Sequence, residues 1–214
     1  FMSNLENKLK KIVNTFNKID KNLAYEDIKK LSTKYHKNIN VLNVLSQIAQ
    51  KMGDVDTTIN SLKKILLIDK NNIECISKIY KLLLTKSLLD EALENINLIL
   101  RIDKDHYEAI RDKAYIYFLK NNFDKAKKNI DNISKLEEKD FFAYNIKGLI
   151  YFKNSNFHEA KNYFEQAIKI NSKYVDSYNN LGICLLELEK LDEAHTVFKD
   201  AHEIESDNSK TIVN

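Results

Sequence analysis

The sequence predicts an all-α protein, a solenoid of antiparallel helix pairs, and three observations carry that prediction. Alanine recurs at 24, 92, 126, 160 and 194, in one register of thirty-four residues, although the 214-residue chain holds only 11 alanines. Thr58, another small residue, fills the remaining slot of that register. Within each period the apolar residues stand three or four apart, which is helical spacing. The chain also has no proline and only three glycines, so little in it would interrupt a helix.

Composition narrows the function classes. Hydrophobic residues make up 43% and charged residues 30%, as in folded globular or repeat proteins. No run reaches the eighteen apolar residues of a membrane span. The formal charge of +3 comes from acids and bases interspersed along the chain. Taken over the whole length, that balance argues against nucleic acid or a membrane as partner. Cys75 and Cys184 are too far apart for a metal-site or disulfide framework and read as reduced core thiols. With no secretory apolar segment near the start, a cytoplasmic setting is expected. Phe1 ahead of Met2 reads as an addition to the natural chain, which leaves its native N-terminus open.

The elements follow in order. Five units are expected at 39–72, 73–106, 107–140, 141–174 and 175–208, each a helix A, a tight turn and a helix B. One apolar column runs through Leu42, Ile76, Ile110, Tyr144 and Tyr178; another runs through Ile28, Leu62, Ile96, Ile130, Phe164 and Phe198; a third includes Ile68, Ile102, Leu136, Ile170 and Ile204. The stripe breaks once per unit, at polar or small clusters such as Gly53-Asp54, Asn121-Asn122 and Asn154-Ser155-Asn156. Asp56, Asp90, Asp124 and Asp192 then stand where helix B would take an N-cap. Residues 1–38 read as a degenerate N-terminal capping pair. Its second helix fits the pattern, but its first puts Lys8 and Lys11 at core positions, as a solvated terminal helix would. Residues 209–214, Ser-Lys-Thr-Ile-Val-Asn, read as the start of a truncated seventh repeat.

The last two units are the most regular: Tyr144, Gly148, Tyr151, Ala160, Phe164 and Ala167, then Tyr178, Leu181, Gly182, Leu185, Ala194, Phe198 and Ala201. This pattern resembles the tetratricopeptide repeat (TPR) family, fully over 39–208 and only in the second helix before that. The resemblance implies a right-handed superhelical solenoid. It also implies that Gly182, opposite Ala194, lets the two helices of a pair approach closely, which offsets a helix-propensity cost of about 1 kcal/mol. There are departures. The proline usual near the end of each unit is missing, Tyr80 is large where a small residue belongs, and Ile65, Ile99 and Ile133 replace an alanine.

Catalytic chemistry finds no footing in the sequence. Three widely separated glycines form no phosphate loop. His36, His106, His158, His195 and His202 have no ligand partners at metal-site spacing, and no nucleophile has an evident base. A non-enzyme without metal or cofactor is expected. What the resemblance implies instead is a concave groove, lined by helix A of each unit, that binds a protein or peptide partner. Its apolar half would comprise Tyr115, Phe118, Phe142, Asn145, Leu149, Phe152, Asn179, Asn180 and Ile183, with Leu186 beside them. The asparagines would hydrogen-bond a peptide backbone. A secondary polar part would comprise Asn43, Gln47, Lys78, Lys81 and Arg111. These do not fall at the offsets of the family's carboxylate clamp, which is not carried over. An alternative reading makes the chain the substrate-recruiting or regulatory arm of a larger enzyme, such as a transferase. The truncated C-terminal face is also a route to homo-oligomers.

Overall fold

In the computed structural model, which describes residues 2–131 and 140–213, every element among the described residues is a helix. The chain divides into two compact units, 1–106 and 107–214.

The first unit holds α1 (Met2–Lys18), α2 (Lys21–Lys34), α3 (Ile39–Lys51), α4 (Val55–Ile68), α5 (Ile73–Thr85) and α6 (Leu89–Ile102). Asparagine or aspartate starts most of these helices for a local reason. The side chains of Asn38, Asp54 and Asn72 accept the N–H of Val41, Thr57 and Cys75 at 3.1, 2.9 and 3.0 Å, satisfying donors that the first helical turn leaves unpaired. Asp54 also accepts the Tyr25 hydroxyl at 2.6 Å, tying α2 to the start of α4. That hydroxyl, with the Thr57 contacts, holds the Asp54 carboxyl below its usual range.

The second unit holds α7 (Tyr107–Leu119), α8 (Phe123–Asp131), α9 (Phe141–Lys153), α10 (Phe157–Ile170), α11 (Val175–Glu187) and α12 (Leu191–Val213). Ala114, Ala126, Ile130, Ile146 and Ile150 form one buried cluster. Ala160, Phe164, Leu181, Cys184, Leu185 and Ala194 form the next. In both units the small-residue register is core: Ala24, Thr58, Ala92, Ala126, Ala160 and Ala194 are all at most 2% exposed.

The turns between paired helices repeat as regularly. Asp54, Leu88, Asn122, Asn156 and Lys190 each donate a backbone N–H to the carbonyl five residues back, at 2.9–3.0 Å. The residue before each of them, Gly53, Ser87, Asn121, Ser155 or Glu189, has positive φ. This is the Schellman arrangement, which satisfies a carbonyl at the end of helix A. The residue that closes the turn is also the one that opens helix B. Asp56, Asp90, Asp124 and Asp192 consequently lie inside the first turn of helix B rather than at its cap. There a carboxylate faces the positive end of the helix dipole.

Three further findings differ from the sequence reading. Helix α1 is packed, with Leu9, Ile12 and Phe16 buried against α2 and α3 while Lys8 and Lys11 face outward. Its apolar stripe, Leu5-Leu9-Ile12-Phe16, is shifted by one residue from the other units. Helix α12 runs on as one helix to Val213, through the position where a turn into a further unit was expected. Helices α4, α6 and α10 exit at Asp69, Asp103 and Asn171. Asp103 and Asn171 accept the N–H two residues on. The matching residue in α12 is Glu205, whose longer side chain and better helix propensity do not favour that exit. Finally, the partner of Gly182 is an aromatic ring. A Cβ added there would lie 2.5 Å from Cε1 and Cζ of Phe198, and one at Gly148 would lie 2.5 Å from Cε1 of Phe164. Each glycine makes room for the phenyl ring of helix B rather than for the approach of an alanine. Ile133 and Leu136, which continue two of the apolar columns, lie outside the described residues.

Candidate functional site

The apolar set lies entirely in the second unit, on the first helix of each of its three hairpins. The thirty-four-residue period puts Tyr115, Leu149 and Ile183 at one helical position of α7, α9 and α11, and Phe118, Phe152 and Leu186 one turn further on. Between α9, α10 and α11 is a recess of about 180 Å³, lined by Leu149, Phe152, Lys153, Phe164, Asn180 and Ile183. Ile183, on its wall, is 46% exposed, as is Leu186 one turn further along α11.

The aromatic residues are fixed by neighbours from their own unit. Phe118 packs on Phe123 with ring centroids 5.7 Å apart, and Phe152 packs on Phe157 at 5.3 Å. Each pair spans the turn of its hairpin, so one face of each ring is already covered. Tyr115 meets Phe142 edge to face at 5.6 Å, and the Arg111 guanidinium lies 5.3 Å from the Phe142 ring centre. Burial pushes the Tyr115 phenol up, and the nearby charges of Asp176 and Asp112 add to that. The Tyr174 phenol moves the same way, first through burial and then through Asp176.

The asparagines divide into two roles. Asn145 is only 3% exposed, and its Oδ1 accepts both the Ser177 hydroxyl at 3.1 Å and the Asn180 Nδ2 at 3.0 Å. That network bridges α9 and α11. It leaves Asn145 out of reach of a ligand backbone and commits one amide hydrogen of Asn180 to the protein. Asn179 is half-buried and makes no side-chain hydrogen bond among the described residues. Ser177, fully buried, occupies a column otherwise filled by Val41, Cys75, Ala109 and Ala143. A hydroxyl in that apolar column was the signal that a polar partner faced it.

The polar set is divided between the two units. Asn43, Gln47, Lys78 and Lys81 belong to the first unit, where Lys78 pairs with Glu74 at 2.6 Å and Lys81 lies 5.9 Å from the Tyr80 ring centre. Arg111 belongs to the second. Its Nε donates to Asp112 at 2.7 Å and a terminal nitrogen donates to Asp140 at 2.6 Å, with the side chain only 14% exposed. Flanked by two carboxylates, Arg111 anchors α7 to the N-cap of α9 and offers no free charge to a ligand.

Other chemistry is sparse. Among the described residues no group of three or more His, Cys, Asp or Glu could hold a metal ion. Both cysteines are buried and unbridged. Burial pushes the Cys184 thiol up to about 11, and its sulfur donates to the Phe157 carbonyl, so it is protonated at neutral pH. Among the described residues no helix is long and apolar enough to cross a membrane.

Helical hairpins stacked within each unit define an all-α repeat protein. Residues 140–205 match the tetratricopeptide repeat family model. None of the curated proteins matches the sequence. Among solved structures, a tetratricopeptide repeat protein from Parabacteroides merdae is 20% identical, with a TM-score of 0.77 over 92% of this chain and 78% of that one. MamA from Desulfovibrio magneticus RS-1 is 16% identical, with a TM-score of 0.70 over 79% of this chain and 96% of that one. YrrB, described as a TPR protein with an unusual peptide-binding site, is 14% identical, with a TM-score of 0.63 over 84% of this chain and 93% of that one. At these identities the likeness is one of fold.

Proposed function

We propose that this chain is a protein-interaction module whose second unit binds a peptide or protein segment along α9 and α11. The observation that carries this reading is the recess walled by the exposed Ile183, where an apolar side chain of a partner would be buried against Leu149 and Phe152. A fold likeness to YrrB, whose description names a peptide-binding site, is consistent with it. Asn179 is the asparagine best placed to meet a partner's backbone; Asn145 and Asn180 hold α9 to α11 and keep the recess in shape. Affinity would come chiefly from the apolar anchor.

The test uses peptides selected from a displayed library on the intact chain. Ile183→Glu places a charge at the rim of the recess on a residue exposed enough to leave folding alone. It is expected to weaken the selected peptides by roughly thirtyfold, the loss of one interface hot spot, with an unchanged thermal melt. Equal binding by wild type and Ile183→Glu would overturn the assignment.

A further inference from the structure

A second concavity lies in the first unit, between the antiparallel helices α1 and α2, with a volume of about 320 Å³. Its walls are two charged rows. Lys8, Lys11 and Thr15 follow one another along α1 at intervals of three and four, and Asp27, Lys30 and Lys34 do the same along α2. Ile12 and Leu31 form the floor. The four lysines are exposed and none forms an ion pair among the described residues, whereas nearby Lys29 pairs with Glu26 at 3.4 Å. Charge is also unevenly placed along the chain. Residues 1–40 carry nine lysines against Glu6, Asp20, Glu26 and Asp27, an excess of five that surpasses the +3 of the whole chain, so the remainder is net acidic. Unpaired positive charge on the walls of a cleft with an apolar floor concentrates a field that neither feature would produce alone.

We infer that this cleft is a docking site for an acidic amphipathic helix of a protein partner. Two parallel lysine-bearing rows at helical spacing, flanking an apolar strip, complement a helix with an apolar stripe and carboxylates on both sides. The antiparallel arrangement of α1 and α2 puts Lys8 and Lys34 at one end, with Thr15 and Asp27 at the other, towards the turn. The carboxylates of the guest helix are therefore concentrated at the Lys8–Lys34 end. The site is independent of the recess in the second unit.

The intact chain is titrated with a synthetic helical peptide carrying glutamates on either side of a leucine stripe, and with the same peptide bearing glutamine for glutamate. The acidic peptide should bind, and the glutamine peptide should bind at least roughly tenfold more weakly. Lys11→Glu combined with Lys30→Glu should weaken the acidic peptide by a similar factor. Lys63→Glu with Lys64→Glu, the same charge change on exposed residues of α4, should leave the affinity nearly unchanged. Ile183→Glu should also leave it unchanged, which separates this site from the apolar recess. The inference fails if the acidic peptide does not bind, if the glutamine peptide binds as well, or if the α4 pair costs as much as the Lys11–Lys30 pair. It fails equally if phosphatidylserine vesicles or a single-stranded oligonucleotide bind the cleft more tightly than the peptide.

Discussion

Two hairpins of the molecule fill equivalent core positions from opposite helices. In α9–α10 the first helix contributes Gly148 and the second contributes Phe164, whose ring occupies the space where a Cβ on Gly148 would stand. In α5–α6 the positions equivalent to these are Tyr80 and Ile96, both 0% exposed. The ring stands on the first helix here, and the second keeps a large aliphatic residue. Tyr80, at the position held by Gly148 and Gly182 in later hairpins, is a buried core residue. The comparison teaches that a hairpin accepts a ring from either helix. A ring on the first helix does not require a small residue opposite it, since Ile96 is itself large and fully buried. Close packing makes each pair interdependent.

Removing the ring from the α5–α6 side should break this arrangement most severely. Tyr80→Ala deletes a fully buried ring and leaves a cavity in the core, so a loss of about 3–5 kcal/mol is expected in urea unfolding. Tyr80→Gly should be worse still, despite matching the residue found at 148. If Tyr80→Gly proved mild, the positions would be interchangeable one at a time and the interdependence would be refuted.

The reverse change should cost less and should differ between two otherwise matching sites. Gly148→Ala adds a methyl group 2.5 Å from the ring of Phe164, which is 1% exposed and has nowhere to go. Overpacking of about 1–3 kcal/mol should exceed the gain of about 1 kcal/mol in helix propensity. Gly182→Ala meets Phe198 at the same distance, but that ring is only half-buried and can swing outward. Its net effect should be near zero. Adding Phe164→Leu to Gly148→Ala should recover part of the loss, a coupling that a double-mutant cycle measures directly.

How much of this was legible in the sequence depends on whether a feature repeats or pairs. The helices and the buried small-residue register were readable because helical spacing and a thirty-four-residue recurrence are properties of single positions. The apolar character of the α9–α11 face was readable for the same reason. Contacts between particular residues were not. Asn145 and Asn180 look like free amides until they are seen to bridge two helices, and Arg111 looks like an available cation until Asp140, twenty-nine residues away, is placed beside it. The shift of the apolar stripe in α1 was visible as Leu5-Leu9-Ile12-Phe16, but it was hidden by carrying the frame of later units back to a helix with its own phase. The N-caps were misplaced by two residues because aspartate suits both a cap and a first helical turn, and only the turn geometry separates them.

That turn geometry offers the finest comparison within the molecule. Five hairpin turns share one left-handed position, filled by Gly53 at φ 77°, Ser87 at 58°, Asn121 at 57°, Ser155 at 60° and Glu189 at 58°. Only the first is glycine, so no residue column marks the position. A side chain in this region carries a backbone cost of about 1 kcal/mol, which is smallest for asparagine. Glu189→Gly should therefore stabilise the protein by about 0.5–1 kcal/mol, since the greater freedom glycine gives the unfolded chain offsets part of the relief. Ser87→Gly and Ser155→Gly should act similarly, and Asn121→Gly should do the least. Gly53→Ala is the inverse control. An added Cβ there meets nothing within 4 Å, so its expected loss of about 1 kcal/mol would come from backbone conformation alone. Equal urea midpoints for wild type, Glu189→Gly and Gly53→Ala would mean that these turns relax freely, and the left-handed position would then be a consequence of the hairpin rather than a constraint on it.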